Sequence, residues 1–334
     1  MDTMDAQVLN AALQWAAQGH RFATVTVART WGSAPRPPGA WMVVRHDGQV
    51  VGSVSGGCIE DDLIHRVTHG EFNGTAPLAL KYGVTTEEAN RFNLPCGGTL
   101  ELVLEPAADL TALDTLLKLT SAGALALRTV DLQAGTTRVE PGERSDTLQW
   151  TGTVLTTVHG PRLRLLLIGA SQISRYVAPM AHALGYEVLV CDPREEYYAS
   201  WDVPNSRWLP GMPDDVVLAI QPDVHTAIVA LTHDPKLDDL ALMEALRSPA
   251  FYVGALGSKA NNARRKARLQ EHFELQPHEL ERLHGPVGLP IGSRTPPEIA
   301  VSLLAELTQV KNQLHQQPAV RSACNTDSTQ GVPV

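Results

Sequence analysis

Two short turns set a cysteine beside paired glycines, Ser55-Gly56-Gly57-Cys58 and Pro95-Cys96-Gly97-Gly98. Paired glycines admit a tight backbone turn. A helix is predicted just after Cys58, from about Ile59 to Thr68, and a thiol near a helix N-terminus is biased toward thiolate. A thiolate can ligate a metal or carry sulfur. Glu60, Asp61 and Asp62 oppose that bias with negative charge, although they also suit the first helical turn. The competing role for any single cysteine is a small buried apolar group, and it stays open for both Cys58 and Cys96. Cys191, at the end of a predicted strand, reads as core, and Cys324 lies in the C-terminal tail.

A second constellation concerns phosphate. Leu165–Ser174 (LLLIGASQIS) reads as a buried strand, a turn and a helix start, and Asp192 ends the next strand about 20 residues on, the context of a dinucleotide fold. A helix N-terminus offers free N–H groups to a phosphate. Only Gly169 matches the glycine fingerprint. Ser171 stands where backbone should approach a pyrophosphate, and Ser174 where helix and strand should pack closely. The two serines weigh against a nicotinamide dinucleotide and favour another phosphate-bearing ligand. Asp192, followed by Pro193, also suits a loop that has no ligand.

Ligands of open α/β sheets bind beyond the carboxyl ends of the strands. That rule selects Thr232-His233-Asp234 after an apolar strand. There His233 can donate to a ligand, shuttle a proton or bond loop backbone. It also selects Gly254–Lys259, where glycines, a lysine and a helix start favour an anion near Ser258 and Lys259. Arg268, farther along that helix, reads as part of a solvated basic face. In the last loop Thr295, Pro296 and Glu298 form a capping pattern, and Gly288, Gly292 and Arg294 remain pocket candidates. The twelve histidines are scattered. No H-E-x-x-H, paired CxxC or G-x-S-x-G pattern occurs.

The elements that must position these residues fall into two textures. Helix (Val8–Gln18), strand (Arg21–Arg29), hairpin (Ala40–Arg45 and Gln49–Val54 about Asp47-Gly48) and strand (Thr99–Glu105) describe an α+β unit over residues 1–109. A helix (Leu110–Ala122) and short alternating strands fill a strand-rich extension and linker, 110–160. Residues 161–315 alternate strand and helix as in a doubly wound parallel sheet. Residues 316–334 lack periodicity and read as a disordered tail. The expected class is α/β, an N-terminal α+β domain followed by a C-terminal Rossmann-like parallel-sheet domain.

Bulk composition sets outer limits. The chain has 334 residues, 43% hydrophobic and 19% charged, with a formal net charge of -9. That is ordinary for a globular protein of two domains. The acidic balance argues against nucleic-acid binding. No apolar run reaches membrane-spanning length. The acidic start Met1-Asp2-Thr3-Met4-Asp5 does not resemble a secretion signal, and four cysteines without CxxC spacing fit reduced thiols in the cytoplasm.

Taken together the motifs resemble the XdhC/CoxI family. Thr30–Gly39 (TWGSAPRPPG), Gly52–Glu60 (GSVSGGCIE) and Pro95–Gly98 (PCGG) are similar to its N-terminal domain. Thr232–Asp234 (THD), Tyr252–Lys259 (YVGALGSK), Pro286–Gly292 (PVGLPIG) and Thr295–Ala300 (TPPEIA) are similar to its C-terminal Rossmann domain. The resemblance runs from about Val8 to Gln313. It implies an accessory chaperone, not a metabolic catalyst, that binds the molybdenum cofactor in molybdopterin or cytosine dinucleotide form. Such a protein supports sulfuration of the cofactor with a cysteine desulfurase. It then inserts the cofactor into the large subunit of an apo molybdenum hydroxylase, of xanthine dehydrogenase or aldehyde oxidoreductase type. A homodimer is among the assemblies expected. By the same resemblance Cys58 becomes the candidate molybdenum ligand and Cys96 a second cofactor contact, although Ser171 departs from the family's Gly-x-Gly turn; Gly169, Ser171, Asp192, His233, Asp234, Ser258 and Lys259, read above from the fold, complete the candidate cofactor contacts. Two other classes compete, an NAD(P)-dependent Rossmann oxidoreductase and a docking scaffold without cofactor.

Overall fold

A computed structural model describes residues 3–31, 36–57, 59–83 and 99–316. Cys58, Cys96 and the rest of its turn, part of the loop before Gly39, and the tail from 317, with Cys324, lie outside the described residues. The chain divides into two compact units, Met1–Leu165 with Pro179–Val188, and Leu166–Ala178 with Leu189–Val334.

The first unit opens with α1 (Thr3–Ala17), then β1 (Phe22–Trp31) and the hairpin β2 (Trp41–Arg45) and β3 (Val50–Gly52). The Asp47-Gly48 turn closes that hairpin, with Gly48 N–H donating to Arg45 O at 2.9 Å. Next come α2 (Glu60–Thr68), β4 (Leu78–Tyr82) and β5 (Thr99–Glu105). The five strands form an antiparallel sheet in the order β3-β2-β1-β5-β4. One face packs Val25, Val27, Met42 and Leu102 against Ile59, Leu63 and Val67 of the α2 region. The other packs Trp41 and Val43 against Val8, Leu9 and Ala12 of α1 and Leu113 and Leu116 of α3 (Leu110–Ser121). Asp109 starts α3 by accepting from Thr111 N and Ala112 N at 2.9 and 3.1 Å, an N-cap interaction.

The stretch after α3 forms a second antiparallel sheet, β7-β6-β9-β8, from β6 (Ala126–Asp131), β7 (Thr136–Pro141), β8 (Gln149–Trp150) and β9 (Val154–His159). Burial alternates along β6 and β9, as a half-buried sheet requires. Val130, Trp150 and Leu155 meet Ala28 and Val103 of the first sheet in a small shared core. Beside it lies a buried ion pair. Arg128 donates to both oxygens of Glu105 at 2.7 Å, and Thr24 Oγ1 and Thr137 Oγ1 donate to the same carboxylate at 3.1 and 3.2 Å.

Mostly within the second unit, β10 (Leu163–Ile168), β11 (Tyr186–Cys191), β12 (Ser206–Trp208), β13 (Thr226–Ala230), β14 (Tyr252–Ala255) and β15 (Leu283–His284) make a parallel sheet ordered β12-β11-β10-β13-β14-β15. Counted from its own first strand, the order is third, second, first, fourth, fifth, sixth, that of dinucleotide-binding folds. β10 and β13 are apolar and buried nearly throughout, as central parallel strands must be. The connecting helices are α4 (Gln172–Ala183), α5 (Glu195–Ser200), α6 (Pro213–Ile220), α7 (Pro235–Arg247), α8 (Lys259–Phe273), α9 (Pro277–Glu281) and α10 (Pro296–Gln316). At the start of α10 Glu298 accepts from Thr295 N at 2.9 Å, the capping geometry its sequence encodes. The fully buried Cys191 thiol packs among these strands, its pKa pushed up to about 12 by burial and by Asp192 and Asp214. It is core, as its strand-end position suggested. Among the described residues no helix is long and apolar enough to cross a membrane.

The Arg128–Glu105 pair makes a measurable demand. Arg128 is only 1% exposed, so Arg128→Ala strands a buried carboxylate. The expected loss is about 3–5 kcal/mol in chemical denaturation. A loss below about 1 kcal/mol, the scale of exposed pairs, would show that the carboxylate is not confined.

Candidate functional site

In the first unit one carboxylate organises the loop on either side of position 58. Gly56 and Gly57 adopt φ of +79° and +117°, which side chains rarely tolerate, and turn the chain around Glu60. Its Oε1 accepts from Ser53 Oγ at 2.7 Å, Val54 N at 2.9 Å and Ser55 N at 2.8 Å. Its Oε2 accepts from Ser55 Oγ, from Gly57 N at 2.9 Å and from Ile59 N at 3.3 Å. Burial alone would raise the pKa of this carboxyl. The Ser55 and Ser53 hydroxyls and the amides outweigh burial and hold it at about 2.

The thiolate expectation for Cys58 itself falls on a residue outside the described ones. The amides of Gly57 and Ile59, flanking the cysteine, are spent on a resident anion. Sequence reasoning placed Glu60 only as a first-turn acid. The missed signal is the run of Ser53, Ser55 and two glycines ahead of it, donors and turn residues suited to a buried carboxylate.

In the second unit the predicted residues gather at the carboxyl ends of neighbouring strands. Gly169 ends β10, Asp192 ends β11, Thr232-His233-Asp234 follow β13, and Gly257-Ser258-Lys259 follow β14. The order of connection reverses across the sheet between β10 and β13, and Gly169 lies there with φ +105°. A Cβ on it would sit 2.9 Å from Thr232 Cα and N, so only glycine allows the two turns to approach. His233 is exposed and held at φ +64°, a left-handed backbone that concentrates at functional turns.

Several of these side chains are occupied by their own loops. Ser171 Oγ accepts from Ser174 N at 3.4 Å and lies 3.1 Å from Ser174 Oγ, which donates to Gly169 O at 2.5 Å. The two serines thus replace fingerprint glycines with a local cap and brace. Asp234 accepts from Lys236 N at 2.9 Å as the α7 N-cap. Ser258 accepts from Asn261 N at 3.1 Å as the α8 N-cap. Asp192 accepts from Ala170 N at 2.9 Å and, bidentately, from Arg194 Nε and Nη2 at 2.8 and 2.7 Å. Burial opposes ionisation of Asp192, but these bonds hold its pKa below the usual carboxylate value. Lys259 is exposed at the start of α8.

Two buried networks support this edge. Asp238 accepts from Thr232 Oγ1 and N at 2.7 and 3.2 Å and from Arg265 Nη2 at 2.9 Å, while Arg265 also reaches Asp239 and Leu256 O. The run of arginines on α8 is therefore divided. Arg265 is buried, and Arg268 pairs with Asp239 at 2.8 Å, so neither is simply a solvated basic residue. Glu306 likewise accepts from Tyr252 Oη at 2.6 Å and Gly288 N at 2.6 Å, and pairs with His284 Nδ1 at 2.9 Å. Gly288 is thereby part of a loop brace. Among the described residues no group of three or more metal-ligating side chains converges.

The comparisons with known proteins agree with these motifs. Residues 165–307 match the family model described as XdhC Rossmann domain, and residues 15–76 that of the XdhC and CoxI family. YqeB of Escherichia coli (strain K12) is 27% identical over 87% of this chain, which spans only 44% of that protein. The molybdenum cofactor insertion chaperone PaoD of the same organism is 29% identical, over 93% of this chain and 89% of its own. A probable xanthine dehydrogenase subunit of Bacillus subtilis (strain 168) is 27% identical, over 86% of this chain and 93% of its own. The crystal structure of a xanthine dehydrogenase from Bacillus halodurans superposes with a TM-score of 0.72 at 23% identity, over 94% of this chain and 98% of that one, a likeness of fold.

The Glu60 nest predicts a pH-dependent contribution to stability. Its folded pKa of about 2 lies below the ordinary 4.5, so the contribution is complete above pH 4.5 and is lost as pH falls toward 2. Glu60→Gln should lower stability by about 2–3 kcal/mol at pH 7, the scale of a lost charged hydrogen-bond set. In urea denaturation the gap between the two proteins should narrow at pH 3. An equal gap at both pH values would mean that the ionised carboxylate is not what holds the loop.

Proposed function

Because the chain belongs to the XdhC and CoxI family, we propose that it is a maturation chaperone that handles the molybdenum cofactor and delivers it to a xanthine dehydrogenase-type apoenzyme. The observation that carries this reading is the gathering of Gly169, His233 and Lys259 on one sheet edge in a chain of this family. The similarity to PaoD supports the cofactor as cargo, and the similarity to the Bacillus subtilis protein supports the class of recipient. The role is accessory and not that of a metabolic catalyst.

The donor chemistry of the second unit fits the anionic end of such a cargo. The N-termini of α4 and α8 and the Lys259 ammonium favour a phosphate group. Ser171 and Ser258 cap those helices, so their hydroxyls fix the turns in advance instead of waiting for a ligand. Gly169 sets the spacing between the first and fourth strands of the sheet, and His233 extends a ring from a strained turn beside it. Cys58 is the proposed contact for the metal end, with Cys96 as a second sulfur donor. Asp192 and Asp234 act through the backbone they hold. When bound, the cofactor supplies the redox-active metal that its recipient enzyme uses. The chain's own residues bind, orient and shield it.

Four finer elements complete the proposal. The cargo is carried in a dinucleotide form, a cysteine desulfurase supplies sulfur while the cargo is held, the chain works in the cytoplasm, and it does so as a homodimer.

The deciding measurement is the small-molecule content of the purified full-length chain, coexpressed with the cofactor pathway. Denaturation and oxidation should release a fluorescent pterin. Cys58→Ala and Gly169→Ala should each reduce that yield and the activation of a recipient apoenzyme. Nicotinamide nucleotide in place of pterin would make the protein an oxidoreductase. Recipient capture with no pterin would make it a docking scaffold. Full retention and full activation with Cys58→Ala would remove the cysteine from the mechanism.

A further inference from the structure

Beyond the end of β11 lies a cavity of about 320 Å³ that the phosphate edge does not account for. Arg194, Tyr198, Trp208, Pro210 and Gly211 line it, with Asp192 at its base. Its walls are aromatic. Tyr198 and Trp208 stand 5.2 Å apart, centroid to centroid, at 57°, and Trp201 packs 6.3 Å from Trp208. Trp201 is fixed by its Nε1–H bond to Ser206 Oγ at 2.9 Å, and the Arg175 guanidinium lies 5.4 Å over its ring. Tyr198, by contrast, is 62% exposed. A large ring left open beside a half-buried tryptophan, at the carboxyl edge of a parallel sheet, suits a flat heterocycle that stacks.

The base of the cavity also says what is not read there. At the corresponding place in dinucleotide folds a free carboxylate takes the ribose hydroxyls. Here both Asp192 oxygens accept from Arg194 and one also from Ala170 N. The guanidinium is seated 3.9 Å over the Tyr197 ring. Its Nε and Nη2 edge is used, which directs Nη1 away from Asp192. The pair presents neither a free acceptor for a sugar hydroxyl nor an uncompensated negative charge against a phosphorylated ligand. Glu195, exposed on the rim, is the acid of the lining without such a partner described.

We propose that this cavity binds the base of a nucleoside phosphate, recognising the ring by packing against the aromatic wall of Tyr198 and Trp208 and not the sugar through Asp192. The proposal rests on the cofactor reading above for its purpose, since a nucleotide moiety is what distinguishes a dinucleotide cargo. Its geometry rests on the cavity alone.

Calorimetric titration of the full-length chain with CMP, AMP, deoxy-CMP, ribose 5-phosphate and neopterin tests it. The nucleotides should bind saturably and ribose 5-phosphate should not. Tyr198→Ala and Trp208→Ala should each weaken nucleotide binding by roughly ten-fold, the scale of one lost base–aromatic stack. Tyr198 is too exposed for its loss to unfold the domain, so it decides the matter if Trp208→Ala does not fold. CMP and deoxy-CMP should bind within about two-fold of each other, because Asp192 is engaged. No saturable nucleotide binding, binding unchanged in both variants, or binding of neopterin alone would overturn the subsite. A more than ten-fold preference for the ribonucleotide would overturn the claim about Asp192. Pterin release from the purified chain is independent of all these outcomes, so loss of the subsite and loss of the chaperone reading are separable.

Discussion

The carboxyl edge of the parallel sheet depends on the close backbone approach of two turns at Gly169 and Thr232. The strand order diverges on either side of this line, one set running from β10 to β12 and the other from β13 to β15. Their connecting segments therefore leave the sheet in opposite directions and open a crevice at the carboxyl edge. The line itself must be narrow. Leu231 N–H donates to Ile168 O at 2.8 Å just before the turns part, and no side chain fits at position 169. The left-handed backbone of His233 and the Asp238 bonds to Thr232 follow from it, since one turn must leave the strand sharply without losing its last buried polar groups.

A common device recurs wherever the chain must leave regular structure. A buried or half-buried carboxylate collects the donors that the loop would otherwise strand. Glu60 does so for the loop at 53–59, Asp238 for the turn after β13, Glu306 for the loop at 284–288 and Asp192 for the turn after β10. The cost of burying an anion is offset in each case by several hydrogen bonds or an arginine. Removing one partner is then expensive, which confines each loop to one conformation. Glu105 shows the same logic in the first unit, where Arg128 neutralises it and two threonine hydroxyls donate to it.

Much of this was legible in the sequence because it is local. The Leu163–Ile168 strand, the Asp47-Gly48 hairpin and the Thr295–Glu298 cap are set by neighbours in sequence, and each appears where its pattern requires. The placement of His233 and Lys259 at one edge was legible through a rule about parallel sheets, which needs only strand order. What was not legible depends on partners far along the chain. Arg265 has the same neighbours as any exposed basic helix, and its burial follows from Asp238 and Asp239, 27 and 26 residues away. Tyr198 and Trp208 sit in short elements without periodicity, α5 and β12, so nothing local marks them as a pair. Glu60 was visible as a residue and invisible as a hub, because its partners precede it through a glycine turn.

These internal commitments bear on how a chain in the proposed carrier role would work. Ser171, Ser258, Asp234 and Asp192 would each be taken, from the fingerprint alone, as ligand contacts, yet each is satisfied by its own loop. The turns are therefore formed before any cargo arrives, and little ordering has to be offset on binding. The same fact limits how tightly cargo is held, because the strongest acceptors and caps are already used. Among the described residues of this edge, what remains for a ligand includes backbone N–H at two helix starts, the exposed rings of His233 and Tyr198, and the ammonium of Lys259. Such a set favours capture of an anionic, partly aromatic molecule in a fixed pose while leaving no deep trap against its release.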